Sequence, residues 1–121
     1  LLANAMFAVR VAWSTKARAT GPHELAEVVA TAGLVLIAMG AARAGAAART
    51  AAMVGAYIGA AYFFTSSTSF ANPAITVGRM FSNTFSGIAP ASAPRFVLAQ
   101  LGGLVVGVAL VRALYPPTRA A

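Results

Sequence analysis

The chain alternates between long apolar stretches and short polar connectors. Apolar and small residues dominate three stretches, at about 25–42, 50–65 and 94–115. Each approaches the roughly 20 residues that an α-helix needs to cross a bilayer. We therefore predict three membrane spans, separated by a basic connector after the first and by a longer, unusual segment at 66–83 after the second.

The first thirteen residues are apolar but too short to cross a bilayer alone. We predict that residues 1–13 are the end of a helix. Because the sequence starts at Leu1 without a methionine, we expect the chain to be part of a longer protein. A polar loop containing Gly21 and Pro22, both of which favour turns, follows this segment.

Two of the predicted spans carry glycines four residues apart. Gly55 and Gly59 lie in the second span, and Gly103 and Gly107 lie in the third. This GxxxG spacing places both glycines on one helix face, where another backbone can approach closely. An ordinary helix rich in Ala and Gly explains the first pair equally well, since small residues are frequent throughout the chain.

The stretch FTSSTSFANPAITVGRMFSN interrupts the pattern between the second and third spans. Asn72 is a strong helix N-cap, and Pro73 suits the first helical position because it has no N–H. A Ser- and Thr-rich approach followed by a short helix is what a re-entrant loop needs. Irregular backbone occurs at membrane depth only where protein buries it or where it lines a water-filled cavity. The alternative is an external loop with an N-capped surface helix.

Composition supports a membrane environment. Of 121 residues, 60% are hydrophobic and 9% are charged, and the mean hydropathy is +0.78, which leaves too few polar side chains to cover a soluble globule. Without cysteine, neither a disulfide nor a thiolate metal site is predicted, and no cofactor is expected. The formal charge of +7 comes from Lys and Arg that stand singly or in twos beside apolar stretches. That pattern is typical of membrane flanks and does not indicate nucleic-acid binding.

The segment SFANPAITVGR, its Ser- and Thr-rich approach, the apolar span after it and EVVAT in an earlier span resemble the second half of the aquaporin and aquaglyceroporin channels. That family of major intrinsic proteins has two inverted repeats of three spans, and each repeat carries an Asn-Pro-Ala half-helix. The resemblance implies an all-α membrane protein, the C-terminal repeat of a six-span channel. Its parts would be the end of span three (1–13), span four (25–42), span five (50–65), a re-entrant loop with its half-helix (66–83) and span six (94–115).

The resemblance also implies roles for individual residues. The residues implied to line the pore are Ala60, Thr68, Ser69, Phe70, Asn72, Pro73, Ala74 and Ile75. Asn72 would offer its side-chain N–H groups to a solute, while the approach loop would turn backbone carbonyls to the channel. Glu27, with Thr31 of a Glu-x-x-x-Thr pattern, would brace that loop by accepting its N–H groups. A carboxylate inside a membrane needs such a partner, although an acid at a helix start is the alternative.

Two positions depart from the family pattern. Ile75 stands where the family usually has the arginine of its outer filter, and Ala60 stands where water-selective members often have histidine. We expect a wider and less polar constriction, similar to a bacterial subgroup that lacks the filter arginine. Such a constriction favours polyols or neutral metalloid acids such as arsenite. Arg79, one turn further on, is either a substitute cation at the outer mouth or a residue that compensates the half-helix dipole.

The resemblance implies a passive channel for water and small uncharged solutes. The alternative is a non-conducting membrane scaffold or accessory subunit that packs through its GxxxG faces. An enzyme is not predicted, because His23 and the two glutamates offer no nucleophile–base pair. The expected partners are the lipid bilayer, a missing N-terminal repeat of the same protein and, by resemblance, further copies in a homotetramer. The expected location is a bacterial plasma membrane.

Overall fold

The computed structural model describes residues 2–116, and within that range every regular element is a helix. The α-helices are α1 (Leu2–Met6), α2 (Gly21–Arg43), α3 (Thr50–Phe64), α4 (Pro73–Arg79) and α5 (Ala93–Leu114). Single 3₁₀ turns at Ala47–Arg49 and Pro90–Ser92 lead into α3 and α5. The described residues contain no strand, which confirms the all-α class.

Two of these helices are long and apolar enough to cross a membrane: α2, with 23 residues, and α5, with 25 residues when its leading 3₁₀ turn is included. In the most apolar part of each, only 33% and 22% of the residues are buried within the chain. The remaining apolar surface needs lipid or other protein to cover it. Both helices are therefore suited to a membrane, in agreement with two of the predicted spans.

The second predicted span, at 50–65, corresponds to a shorter helix. α3 has 15 residues, so it is about 22 Å long at 1.5 Å per residue. The hydrocarbon core of a bilayer is about 30 Å thick. α3 is nevertheless the most uniformly apolar of the long helices, and Phe63 near its end is 89% exposed.

The prediction that residues 1–13 are helical is wrong for most of that segment. α1 ends at Met6, and Ala8 follows with a left-handed φ of 53°. The N–H of Ala8 donates to Ala5 O, and the N–H of Val9 donates to Asn4 O, which is the Schellman pattern that ends helices. Glycine usually occupies the left-handed position, so an alanine there gave no sign of the helix end. Residues 9–19 then run without helix beside the segment that follows α4.

α2 begins at Gly21, about four residues before the predicted start of the first complete span. Pro22 suits a first helical turn as well as it suits a loop. Thr20 is the N-cap, and Glu24 lies in the first turn, where its carboxylate forms a salt bridge with Arg95 at 2.8 Å. Glu27 therefore lies beyond the first turn, where the alternative role of an acid at a helix start loses its physical basis.

α5 packs closely against α2 through its glycine pair. A Cβ atom placed on Gly103 would lie 2.6 Å from the carbonyl oxygen of Val28, and one on Gly107 would lie 2.8 Å from Cβ of Val35. Real carbon atoms do not approach so closely, so any side chain at these positions would push the two helices apart. The glycines thus set the distance between α2 and α5.

The buried apolar core lies beside the segment between α3 and α5. Phe70, Ile88 and Phe96 are fully buried there, and the rings of Phe70 and Phe96 meet edge to face with centroids 5.3 Å apart. Phe70 belongs to the approach to α4, Ile88 to the return after it, and Phe96 to the start of α5. The core therefore packs the segment around α4 against the helix that follows it.

Candidate functional site

The approach to α4 has an unusual backbone. After α3 ends, Thr68, Ser69 and Ala71 adopt left-handed φ angles of 63°, 46° and 50°. A residue with a Cβ atom in this region costs roughly 1–2 kcal/mol. We call residues 65–72 the approach loop. Such a backbone persists only where surrounding groups hold it.

Glu27 of α2 holds the approach loop through its carboxylate. Oε1 accepts the N–H of Phe70 at 2.9 Å, and Oε2 accepts the N–H of Ala71 at 2.9 Å. Oε2 also accepts a hydrogen bond from Nε2 of Gln100 at 2.7 Å, and the Glu27 side chain is fully buried. A buried carboxylate is costly unless several donors surround it. Here the donors are two consecutive backbone amides of the strained loop and one side chain of α5.

Thr76 and Gln100 extend this network into the half-helix. Nε2 of Gln100 also contacts Oγ1 of Thr76 at 2.9 Å, and the Thr76 hydroxyl donates to the carbonyl of Asn72 at 3.1 Å. α2, α4 and α5 are therefore joined by a chain of polar contacts. Sequence reasoning missed both residues. The available signal was Gln100 itself, a polar side chain within a predicted span, which is a reason to suspect a site.

Asn72 begins the half-helix, as its sequence context predicts. Its extended backbone (φ −157°, ψ 126°) precedes Pro73, and its Oδ1 accepts the N–H of Ala74 at 2.8 Å. The cap occupies the side-chain oxygen and fixes the amide plane, so Nδ2 is the group left to donate to another molecule. Asn72, Pro73, Ala74 and Ile75 are all exposed on this chain.

Thr31 does not act on the approach loop as expected. Its side chain is 6% exposed, and Oγ1 has no hydrogen-bond partner among the described residues. Its Cβ lies instead on the face that α5 packs against, 2.8 Å from the position that a Cβ on Gly103 would take. The structure thus joins Glu27, but not Thr31, to the loop by hydrogen bonds.

Arg79 turns back from the end of the half-helix toward the approach loop. Nη1 donates to the hydroxyl of Thr68 at 3.3 Å, and Cζ lies 4.3 Å from the centroid of the Phe70 ring. Thr68, Ser69 and Phe70 are all buried as whole residues, backbone included. Ala60 lies on an exposed face of α3.

A second arginine beside the loop was predicted only as a flanking charge. Arg18, in the segment before α2, is 2% exposed, and its Cζ lies 5.3 Å from the centroid of the Phe70 ring. Burial lowers the pKa of Arg18 from its ordinary value, and the positive charge of Arg79 acts in the same direction. Arginine remains protonated at neutral pH all the same, so a cation lies buried here.

Cavities border both ends of the half-helix. One, of about 260 Å³, has Asn72 and Pro73 in its wall together with Gln100 and apolar side chains of α2 and α5, including Leu34 and Leu101. The other, of about 630 Å³, is bordered by Gly78, Arg79, Ser82 and residues of α1. The start of the half-helix thus faces one space, and its end faces another.

These features define a class of protein: an all-helical integral membrane protein in which a short capped helix is inserted between spans on a polar, buried support. No family model matches the sequence, and no solved structure matches it. The chain is similar to the aquaglyceroporin AqpS of Rhizobium meliloti (strain 1021), with 50% identity over 101 residues. That match covers 83% of this chain and 43% of the relative. This similarity supports the resemblance to the aquaporin and aquaglyceroporin family drawn from the sequence, and it agrees with the prediction that the chain is not an enzyme.

Proposed function

We propose that these residues form one half of a passive channel for water and small uncharged solutes. The observation that carries the proposal is the pair of hydrogen bonds that the Glu27 carboxylate accepts from the backbone amides of Phe70 and Ala71. A strained loop held by a buried carboxylate is expensive to build, and a simple helix scaffold has no use for it. Irregular backbone among spans is tolerated only where protein buries it or where it lines a cavity, and Asn72 at the end of this loop lines one.

The chemistry beside Asn72 suits neutral polar solutes. The amide nitrogen of Asn72 can donate to a hydroxyl oxygen, while Leu34 and Leu101 provide apolar wall in the same cavity. A pathway with a few polar groups on an apolar wall replaces part of a solute's hydration but cannot replace that of an ion. No chemical step is required, because the solute moves down its own gradient.

A complete pathway needs more wall than this chain provides. The chain spans less than half the length of the relative it matches, 43%, and its helices expose much apolar surface. We therefore propose that an N-terminal repeat of the same protein supplies the opposite wall. A homotetramer in a bacterial plasma membrane is the assembly that the family resemblance favours. The mass of the detergent-purified complete protein tests it.

Ile75 supports a finer proposal about selectivity. It is 41% exposed on the half-helix, three residues after Asn72, and it brings no charge to the pathway. An uncharged side chain there favours polyols such as glycerol, or neutral acids such as arsenite, over strict selection for water. Arg79 would supply the positive charge from beside Thr68 rather than from the Ile75 position.

Liposomes that carry the complete protein test both levels of the proposal. Stopped-flow measurements should show fast, solute-dependent volume changes with glycerol and with arsenite. Ile75→Arg should lower both solute fluxes roughly tenfold relative to water, as an added barrier of about 1.4 kcal/mol would. Ile75→Met is the matched control, because it is also long and apolar, and it should retain the selectivity of the unmodified protein.

The proposal of a channel and the proposal about Ile75 are rejected by different results. Liposomes with the unmodified protein that shrink no faster than empty ones would reject the channel and leave the non-conducting scaffold. Fast flux with an unchanged ratio of solute to water in Ile75→Arg would keep the channel and reject the assignment of Ile75 to its selectivity.

A further inference from the structure

The guanidinium group of Arg18 binds the chain on both sides of the half-helix. Nη1 donates to the carbonyl of Ser67 at 3.1 Å, in the approach loop. Nε donates to the carbonyl of Gly87 at 2.7 Å, and Nη2 donates to that of Phe85 at 2.6 Å, both in the segment that returns to α5. The backbone N–H of Arg18 donates to Oγ of Ser92 at 3.1 Å, just before α5. One residue therefore connects the two arms of the re-entrant segment.

This arrangement uses the shape of arginine as well as its charge. The planar guanidinium presents its N–H groups in a fixed fork, so it can bind several carbonyls at set positions. Three carbonyl partners also explain how the cation is tolerated at 2% exposure, since a buried charge needs hydrogen bonds around it. A lysine would keep the charge, but its single ammonium group could not reproduce the three-point contact.

Arg18 and Glu27 bind the same loop through opposite hydrogen-bonding roles: Arg18 donates to it, and Glu27 accepts from it. Glu27 accepts the amides of Phe70 and Ala71, and Arg18 donates to the carbonyl of Ser67 a few residues earlier. The left-handed residues of the loop lie between or beside these contacts. Fixing both ends limits where the backbone can move and so fixes where Asn72 is presented.

We propose that Arg18 is a positioning residue that holds the approach loop, and through it the Asn72 tip, at a set distance from the returning segment. Its role in transport rests on the function proposed above. Without this clamp the loop shifts, and the width of the pathway changes. Discrimination between solutes of different size should respond more strongly than water flux, because the smallest permeant is least sensitive to width.

The test compares Arg18→Lys with Arg95→Lys in the complete protein that carries these residues. Both changes keep a positive charge, but Arg95 is 59% exposed and pairs with Glu24 away from the loop. Arg18→Lys should change the ratio of glycerol to water flux by about threefold or more. It should also raise amide hydrogen exchange in peptides that cover 65–72 and 84–89. Arg95→Lys should change neither quantity.

The results test the positioning role of Arg18 separately from the proposed channel function. Exchange and flux ratio unchanged in Arg18→Lys would overturn the positioning role while leaving the channel intact. If the unmodified protein conducts nothing, the proposed function fails, but the exchange measurement still decides whether Arg18 holds the loop. If Arg18→Lys does not fold, NMR exchange of the Arg18 Nε–H in the unmodified protein replaces it, because that group donates to the carbonyl of Gly87. Exchange much slower than that of the exposed Arg95 Nε–H would support the clamp, and equally fast exchange would overturn it.

Discussion

The two contacts that α2 makes with the other long helices differ in kind, although all three helices are rich in small residues. Toward α5, the glycine pair brings the backbones together, and the buried Glu27–Gln100 contact lies on the same side. Toward α3, the hydroxyl of Tyr57 contacts the carbonyls of Ala30 at 3.1 Å and Val29 at 3.3 Å. The α2–α5 contact thus sets the geometry of the site, and the α2–α3 contact does not touch it.

The glycine pairs make the difference plain. A Cβ on Gly103 or Gly107 would collide with α2, whereas one on Gly55 or Gly59 meets nothing within 4 Å among the described residues. The same four-residue spacing therefore has two outcomes in one chain. The spacing permits close approach, but only a partner helix makes use of it.

Gly103→Val should have the largest effect. The added side chain overlaps the backbone of α2, which cannot yield locally, so the free energy of unfolding should fall by about 3 kcal/mol. The separation of α5 from α2 should also pull Gln100 away from Glu27 and raise hydrogen exchange at Phe70 and Ala71. Thermal unfolding of the complete protein in detergent measures the first effect. Stability equal to that of the unmodified protein would mean that the close approach is not needed.

Gly33→Ala should have an intermediate effect on the α2–α3 side. A Cβ there would lie 2.1 Å from the hydroxyl oxygen of Tyr57, but that atom is the end of a side chain that can turn away. The cost should be the hydrogen bond, about 1 kcal/mol. A Cβ on Gly33 would also lie 2.5 Å from the ring carbon Cζ of Tyr57, so the control must remove the ring. The double variant with Tyr57→Ala should be no less stable than Tyr57→Ala alone. An additive loss in the double variant would show that Gly33 contributes by some other contact.

Gly59→Ala should have the smallest effect, and its sign is informative. Alanine favours a helix over glycine by up to about 1 kcal/mol, and the site is open within the described residues. Unfolding measurements should therefore show unchanged or slightly higher stability. A loss comparable to that of Gly103→Val would reveal a helix packed on this face in the complete protein, supplied by another repeat or another copy.

Sequence reasoning identified the half-helix well and its supports in part. Asn72 and Pro73 predict a capped helix start through local chemistry, and the structure has α4 begin at Pro73. The interruption of α1 at Ala8 and the start of α2 at Gly21 differ from the predictions, because Ala and Pro are each compatible with two local structures. Arg18 looked like an ordinary flanking charge, since its partners lie 49 to 74 residues away in the chain.

The sequence alone determined the environment of this protein and one of its element boundaries. Its apolar stretches are long enough for a membrane, and a helix start lies in the polar stretch between two of them. Hydrophobicity and capping act between near neighbours, so they can be read along the chain. Only the tertiary structure decided which glycine pair is used, which of Glu27 and Thr31 holds the loop, and that Arg18 is buried. Those outcomes depend on which distant backbone groups come within hydrogen-bonding or van der Waals distance, and residue spacing does not contain that information.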